Sequence, residues 1–248
     1  MLNHAKSFLK RIPPVDWLAS RRSYWSELRH GERELPLLSE WVDNRVALDV
    51  GANAGTYAYH LSKLTDVIAF EPNPRFRGRL GRLPRNVRVE NVALSDRDGT
   101  ATFRIPLMTN GNQADGWGTL EDVPGAISIA VPTRTLDSYN LDPGFIKIDV
   151  EGHEESVLYG ALQTIRRSKP ILLIECEERH NPGATSRLPA LLASEGYSGF
   201  FYPPGRGRTS LSEFDPAVHQ PAGLNFEGDL NEIRKVYANN FLFMPHNR

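Results

Sequence analysis

The sequence predicts a doubly wound α/β fold, with a mostly parallel sheet following a short helical extension. Three observations carry that expectation. First, the apolar run Val46-Ala47-Leu48-Asp49-Val50 breaks into Gly51-Ala52-Asn53-Ala54-Gly55, and a helix-compatible segment runs from Tyr57 to Leu64. This is the pattern of a buried parallel strand feeding a tight turn and a helix. Second, the apolar run Val67-Ile68-Ala69-Phe70 ends in Glu71, 22 residues after Asp49. That is near the spacing at which a carboxylate accepts hydrogen bonds from a ribose diol. Third, strand-like and helix-like segments keep alternating from Arg45 to Cys176.

Composition narrows the class. The chain has 248 residues, 40% hydrophobic and 24% charged, an ordinary globular balance for one α/β domain with appended segments. A net charge of −1 gives no reason to expect a nucleic-acid partner. The single cysteine, Cys176, excludes an intrachain disulfide framework and a Cys-rich zinc site; in its apolar run it reads as an inert core residue. No apolar run approaches the ~20 residues of a membrane-spanning helix, so no stable membrane insertion is expected. The N-terminus lacks the apolar stretch of a secretion signal, which makes the cytoplasm the default setting.

Taken in order, residues 1–43 read as an N-terminal helical extension. They carry Phe8, Trp17, Tyr24, Trp25 and Trp41 among Arg21, Arg22 and Arg29, and suit a cap over the ligand cleft. Pro13-Pro14 and the acids Asp16, Glu27 and Glu32 argue against a basic membrane-surface helix. The domain proper, 44–248, begins with a strand at 45–50, a helix at 55–64, a strand at 66–70, a helix near 74–82 and a strand at 87–92. An added strand at 101–105 follows Asp98-Gly99, which is turn chemistry. Residues 106–126, rich in Gly, Asn, Asp and Pro around Trp117, form a loop long enough to suggest a lid or binding loop. Beyond it come a strand at 127–132, a helical turn from Thr135, a strand at 144–150, a helix at 153–168 and a strand at 170–176. The rest is a helix near 186–195, a strand at 197–202, a loop at 203–223 and a closing strand at 240–244.

The second informative stretch is Phe145-Ile146-Lys147-Ile148-Asp149-Val150-Glu151-Gly152-His153-Glu154-Glu155. Alternation puts Lys147, Asp149 and Glu151 on one side of a strand. Charges on a central parallel strand are costly to bury unless they are paired or bind a ligand. Glu154 and Glu155 fit a structural role in the first turn of a helix. Asp149, Glu151 and His153 instead sit at the carboxyl end of the strand, where open α/β sheets bind ligands. His180 falls in a segment after the next strand and reads as a solvated loop histidine, as do Arg206 and Arg208 among the loop arginines.

Five blocks in order, Asp49 to Gly55, Phe70-Glu71-Pro72-Asn73-Pro74, Asn91-Val92-Ala93-Leu94-Ser95-Asp96, Thr135-Leu136-Asp137-Ser138 and Ile146 to Glu154, resemble the FkbM family of S-adenosylmethionine-dependent methyltransferases. The resemblance spans roughly residues 44–178, with an echo in Asn239-Asn240-Phe241-Leu242-Phe243-Met244-Pro245. It implies a class I methyltransferase, Rossmann-like sheet of seven strands, S-adenosylmethionine as cofactor, and O-methylation of a hydroxyl on a glycan or natural product. Asp49, Gly51, Asn53 and Gly55 would then hold the methionine end and Glu71 the ribose. Asn91, Val92 and Ala93, ending the third strand, would lie near the adenine. Asp149 would line the methyl-transfer face, with Glu151 and His153 on the acceptor side as joint candidates for the base.

A nicotinamide-dependent oxidoreductase is disfavoured, because the turn is Gly-x-x-x-Gly and Asp49 precedes it where a pyrophosphate prefers no carboxylate. A non-catalytic binding module is disfavoured by the intact Asp149-Val150-Glu151-Gly152-His153 block. Asp149, Glu151, His153 and Glu175 have no diagnostic metal spacing, so no metal ligand is assigned.

Overall fold

A computed structural model describes residues 32–227, 232–233 and 235–246. Most of the extension expected over 1–43 therefore lies outside the described residues. Its end, 32–43, forms a 3₁₀ turn at Leu35–Leu37 and helix α1 at Leu38–Trp41. Leu35, Leu38 and Trp41 are buried against the sheet.

Among the described residues eleven strands form two sheets. The strands are β1 Ala47–Val50, β2 Val67–Phe70, β3 Val87–Glu90, β4 Ala93–Leu94, β5 Gly99–Ile105, β6 Ile127–Arg134, β7 Phe145–Ile148, β8 Ile171–Glu175, β9 Tyr197–Phe201, β10 Thr209–Ser210 and β11 Asn240–Pro245. The main sheet runs β10-β9-β11-β8-β7-β1-β2-β3. Strands β3, β2, β1, β7 and β8 are parallel, in a register that sets Val50 beside both Phe70 and Ile148. β11 inserts antiparallel between β8 and β9. Seven of these eight strands answer to the expected doubly wound sheet, and the two-residue β10 extends its edge.

Alternation along the strands builds two cores, one on each face. Leu48, Val50, Ile146, Ile148, Leu172, Ile174, Phe241 and Phe243 face α4 (Glu154–Tyr159), α5 (Leu162–Ser168) and α6 (Ala184–Ser194). Ala47, Val67, Ala69, Phe145, Leu173 and Leu242 face α1 and α2 (Thr56–Leu61), with Leu80 of α3 (Arg77–Leu80) beside them. Helices on both faces make the central strands continuous apolar runs, and the parallel strands β1, β2 and β7 all end at one edge of the sheet.

Three local expectations change. The helix foreseen at 153–168 is two helices, broken at Gly160-Ala161. A Cβ at Gly160 would collide with the Ser95 carbonyl, and the Asp137 carboxylate accepts from the amides of Gln163 and Thr164 at 3.1 and 2.8 Å. Asp137 thus starts α5 afresh by satisfying amides that lack a partner within the helix. The third strand ends at Glu90, not at residue 92, and Ala93-Leu94 pairs with β6 in the separate sheet β4-β6-β5. The loop foreseen at 203–223 contains β10, a 3₁₀ turn at Leu211–Glu213 and α7 at Pro216–His219. Cys176 is buried and free, and burial pushes its thiol well above the usual range, as its inert reading requires. No helix among the described residues is long and apolar enough to cross a membrane.

Candidate active site

The turn after β1 is shaped by three left-handed residues, beginning with Gly51 at φ 80° and Asn53 at φ 50°. Gly51 is required because a Cβ there would collide with the backbone carbonyl of Asp149. The glycine therefore lets two neighbouring strand ends approach, and a ligand has no part in that requirement. Gly55, at φ 88°, packs toward Leu80 and Leu83 and lines none of the three cavities that meet at this site. Asp49 Oδ2 accepts from the Ala58 amide at 2.7 Å, tying the turn to α2. Burial pushes the Asp49 carboxyl up to about 7.

Glu71 closes the same turn from β2. One oxygen accepts from the Asn53 amide and the other from the Asn73 amide, both at 2.7 Å. The two asparagines in turn donate to the roof. Asn53 Nδ2 reaches the Gly116 carbonyl at 3.2 Å and Asn73 Nδ2 the Asp115 carbonyl at 3.1 Å. Arg75 Nε adds an ion pair to Asp115 Oδ2 at 2.8 Å. The loop expected at 106–126 is thereby a roof over the sheet edge, carrying a 3₁₀ turn at Asp115–Trp117. Burial pushes the Glu71 carboxyl up to about 7 against those amide bonds.

At the end of β7, Glu151 also has a left-handed backbone, φ 53°, followed by Gly152 at φ 102°. A non-glycine residue there costs on the order of 1–3 kcal/mol and persists where its surroundings enforce it, often at functional sites. Glu154 Oε1 supplies part of that enforcement by accepting from the Gly152 amide at 3.0 Å. The Glu151 side chain is only 12% exposed, and burial together with the nearby Asp149 and Glu177 carboxylates raises its carboxyl well above the usual range. His180, expected to be solvated, is instead mostly buried with Nε2 3.0 Å from Glu151 Oε2, outside hydrogen-bond alignment. Burial lowers the His180 imidazole to about 4, so it is neutral at physiological pH.

His153 is held at both nitrogens. Nε2 lies 2.9 Å from Ser95 Oγ and Nδ1 2.6 Å from Glu121 Oε1. It therefore clasps the roof to the start of the second sheet. Lys147 is fully buried; its Nζ donates to Asn240 Oδ1 at 2.8 Å and lies 3.7 Å from Glu175 and 3.9 Å from Asp149. Burial alone would lower its ammonium, but the flanking carboxylates hold it above the ordinary lysine range.

Three cavities meet here. The first is lined by Gly51, Asn53, Glu71, Phe76, Val92, Ala93, Asp115 and His153 among others. The second lies under the glycine turn beside Glu32, Asp49, Tyr57, Lys147 and Asp149. The third opens between Trp117, Glu175, Glu177, Arg179, Phe226 and Tyr237. Gly51, Asn53 and Asp149 line both the first and the second. Glu151 is the one described residue that lines both the first and the third. Of the candidate site residues named from the sequence, Gly55 and Asn91 line none of the three; Asn91 is exposed and accepts from Arg77 Nε at 3.1 Å. Sequence reasoning gave no role to Asn73 or Asp115 and, beyond Glu151 and Trp117, did not find the third cavity, whose lining comes from six separated segments. Only Asn73, two residues after Glu71, carried a local signal.

A family model for the methyltransferase FkbM domain matches residues 49–198. The chain belongs to the FkbM methyltransferase domain family. Hexuronic acid methyltransferase AglP of Haloferax volcanii is 32% identical over 161 residues, 61% of this chain and 64% of that protein. The chain thus spans less than two thirds of this curated relative. The crystal structure of methyltransferase FkbM from Methylobacillus flagellatus superposes with a TM-score of 0.52 at 18% identity, covering 82% of this chain and 44% of that one. This likeness bears on the fold, which is the class I methyltransferase sheet already traced through β3, β2, β1, β7 and β8. In the FkbM frame the match takes in every candidate site residue named from the sequence, from Asp49 to His153.

Proposed function

We propose that this chain is an S-adenosylmethionine-dependent methyltransferase that methylates a hydroxyl of a sugar, glycan or natural-product acceptor. The observation that carries the reading is the position of Glu151, a buried carboxylate shared by the first and third cavities.

The residues present suit the cofactor. Asp115 Oδ1 is buried without a partner in the first cavity, where an exocyclic adenine amine would satisfy it. Phe76, Val92 and Ala93 offer apolar surface to the ring. Glu71 has a remaining lone pair on each oxygen for ribose hydroxyls. Lys147 and the carboxylates of Glu32, Asp49 and Asp149 would meet the zwitterionic methionine end in the second cavity. When bound, S-adenosylmethionine would supply an electrophilic methyl carbon on a sulfonium.

The chain's own residues would then do three things. The roof and the glycine turn exclude water and fix the donor's orientation. The third cavity holds the acceptor oxygen in line, which removes the entropy cost of encounter. Glu151, raised by burial, takes the hydroxyl proton as attack proceeds. His153 was expected to share that role, but both of its nitrogens are already engaged. We therefore assign it to holding the roof. His153→Gln is expected to lower kcat/KM by no more than about 10-fold, against about 10²–10³-fold for Glu151→Gln. Equal losses in steady-state kinetics would return His153 to the chemistry.

Glu71→Ala is expected to weaken S-adenosylhomocysteine binding by about 10- to 100-fold, since hydrogen bonds to a charged group contribute about 1.5–3 kcal/mol each. An affinity equal to wild type would remove the ribose assignment. Calorimetric titration with S-adenosylhomocysteine and with NAD tests the cofactor class. Binding of the first alone is expected, and binding of NAD alone overturns the proposal. Transfer of a labelled methyl group to hydroxylated acceptors then tests the chemistry.

A further inference from the structure

The third cavity has a charge pattern that sets which acceptor it can take. Its described lining carries five carboxylates, Glu32, Glu34, Glu151, Glu175 and Glu177, against two guanidinium groups, Arg33 and Arg179. Both cations are already engaged. Arg179 is held by a two-pronged ion pair with Glu177, made through Nε and a terminal nitrogen, and lies 3.9 Å above the Phe226 ring. Arg33 donates to the carbonyls of Tyr202 and Tyr237 at 3.1 and 3.4 Å. The neighbouring ammonium of Lys147 is fully buried and bonded to Asn240. Of the two cations lining this cavity among the described residues, Arg179 is paired with a carboxylate and Arg33 is turned to backbone carbonyls.

The acids are differently placed. Glu151 and Glu175 are raised well above the carboxylate range by burial and by the charge of Asp149. A ligand that donates hydrogen bonds or carries positive charge relieves that crowding, whereas a ligand carboxylate adds to it. Trp117, Phe226 and Tyr237 supply flat apolar walls beside these oxygens, so hydroxyl-donating rings can stack while their hydroxyls reach carboxylates.

We infer that the third cavity is an acceptor site for a neutral or amino-bearing sugar ring, and that it rejects an acceptor bearing a carboxylate at the bound ring. The inference rests on the methyltransferase reading and separates this chain from its relative, whose printed name specifies a hexuronic acid. The Glu177–Arg179 pair is the determinant. With Glu177 in place the guanidinium is occupied, and without its charge the same guanidinium becomes a carboxylate receptor of the bidentate kind.

The test uses three probes that differ in one substituent: methyl glucoside, its 2-amino counterpart and methyl glucuronide. Each is titrated calorimetrically into the full chain at pH 7.5, with and without S-adenosylhomocysteine. The neutral and amino glycosides are expected to bind at least about 10-fold more tightly than the glucuronide. Glu177→Gln, which keeps the shape and an acceptor for Tyr237, is expected to close or invert that gap. Its effect on S-adenosylhomocysteine affinity should be small, because Glu177 lines neither of the first two cavities. Tighter or equal binding of the glucuronide to the wild type overturns the inference, and so does an unchanged preference in Glu177→Gln. Binding of no glycoside by a chain that still binds S-adenosylhomocysteine overturns the acceptor site alone. Loss of S-adenosylhomocysteine binding with the glycoside preference intact overturns the cofactor reading alone.

Discussion

Glu151→Gln is expected to lower kcat by about 10²–10³-fold, within the range that positioned general bases contribute. S-adenosylhomocysteine affinity should change little, because the amide keeps the volume of the carboxyl at the junction of the two cavities. The expectation follows from geometry before charge: Glu151 alone among the described residues faces both the first and third cavities. Its left-handed backbone, held by the Glu154–Gly152 bond, fixes where the side chain projects. The pH profile supplies an independent readout. A base must be ionised to accept a proton, so activity falls as pH drops through the carboxyl's own range. Burial raises that range well above the ordinary one for a glutamate, so the acidic limb of kcat should stand well above the usual carboxylate position. A limb at an ordinary glutamate value, or a glutamine variant with wild-type kcat, would leave positioning as the source of rate.

Gly51→Val should abolish S-adenosylhomocysteine binding and destabilise the fold by about 3 kcal/mol or more, the upper end for a strained backbone site with a steric clash added to it. Two costs combine. A β-branched residue at φ 80° is strained in itself. Its Cβ would also strike the Asp149 carbonyl, a backbone atom that cannot swing aside without parting β1 from β7. Thermal unfolding distinguishes this account from one in which the glycine merely makes room for ligand. A variant with wild-type Tm that has lost only the ligand would refute the strand-contact explanation. Gly78→Ala is the internal control, since nothing lies within 4 Å of the added Cβ in α3, and its Tm should hold or rise slightly.

How much was legible can be judged from single residues. Val46 to Gly55 was readable as strand and turn because burial on both faces and a left-handed turn leave composition no freedom. Glu71 was readable because its place after β2 is fixed by the length of one βαβ unit. Glu151 was readable because a carboxylate at the end of a buried strand needs a reason to be there. His153 was readable as a site residue but not as a clasp, because Ser95 and Glu121 lie 58 and 32 residues away in sequence. His180 was misjudged for the same reason: in sequence it is a loop histidine, and only folding sets it against Glu151. The break at Gly160 depends on the Ser95 carbonyl, and the end of the third strand on pairing with β6.

The sequence by itself determined the class of sheet, the succession of its central strands along the chain and the residues at their carboxyl ends. Those features follow from periodicity and from local backbone demands that neighbours along the chain impose. Only the tertiary structure decided which of those residues share a cavity, which are already bonded, and what charge the third cavity presents. Hydrogen bonds and ion pairs there join residues as far apart as Glu32 and Asn240, and nothing local to either residue specifies its partner.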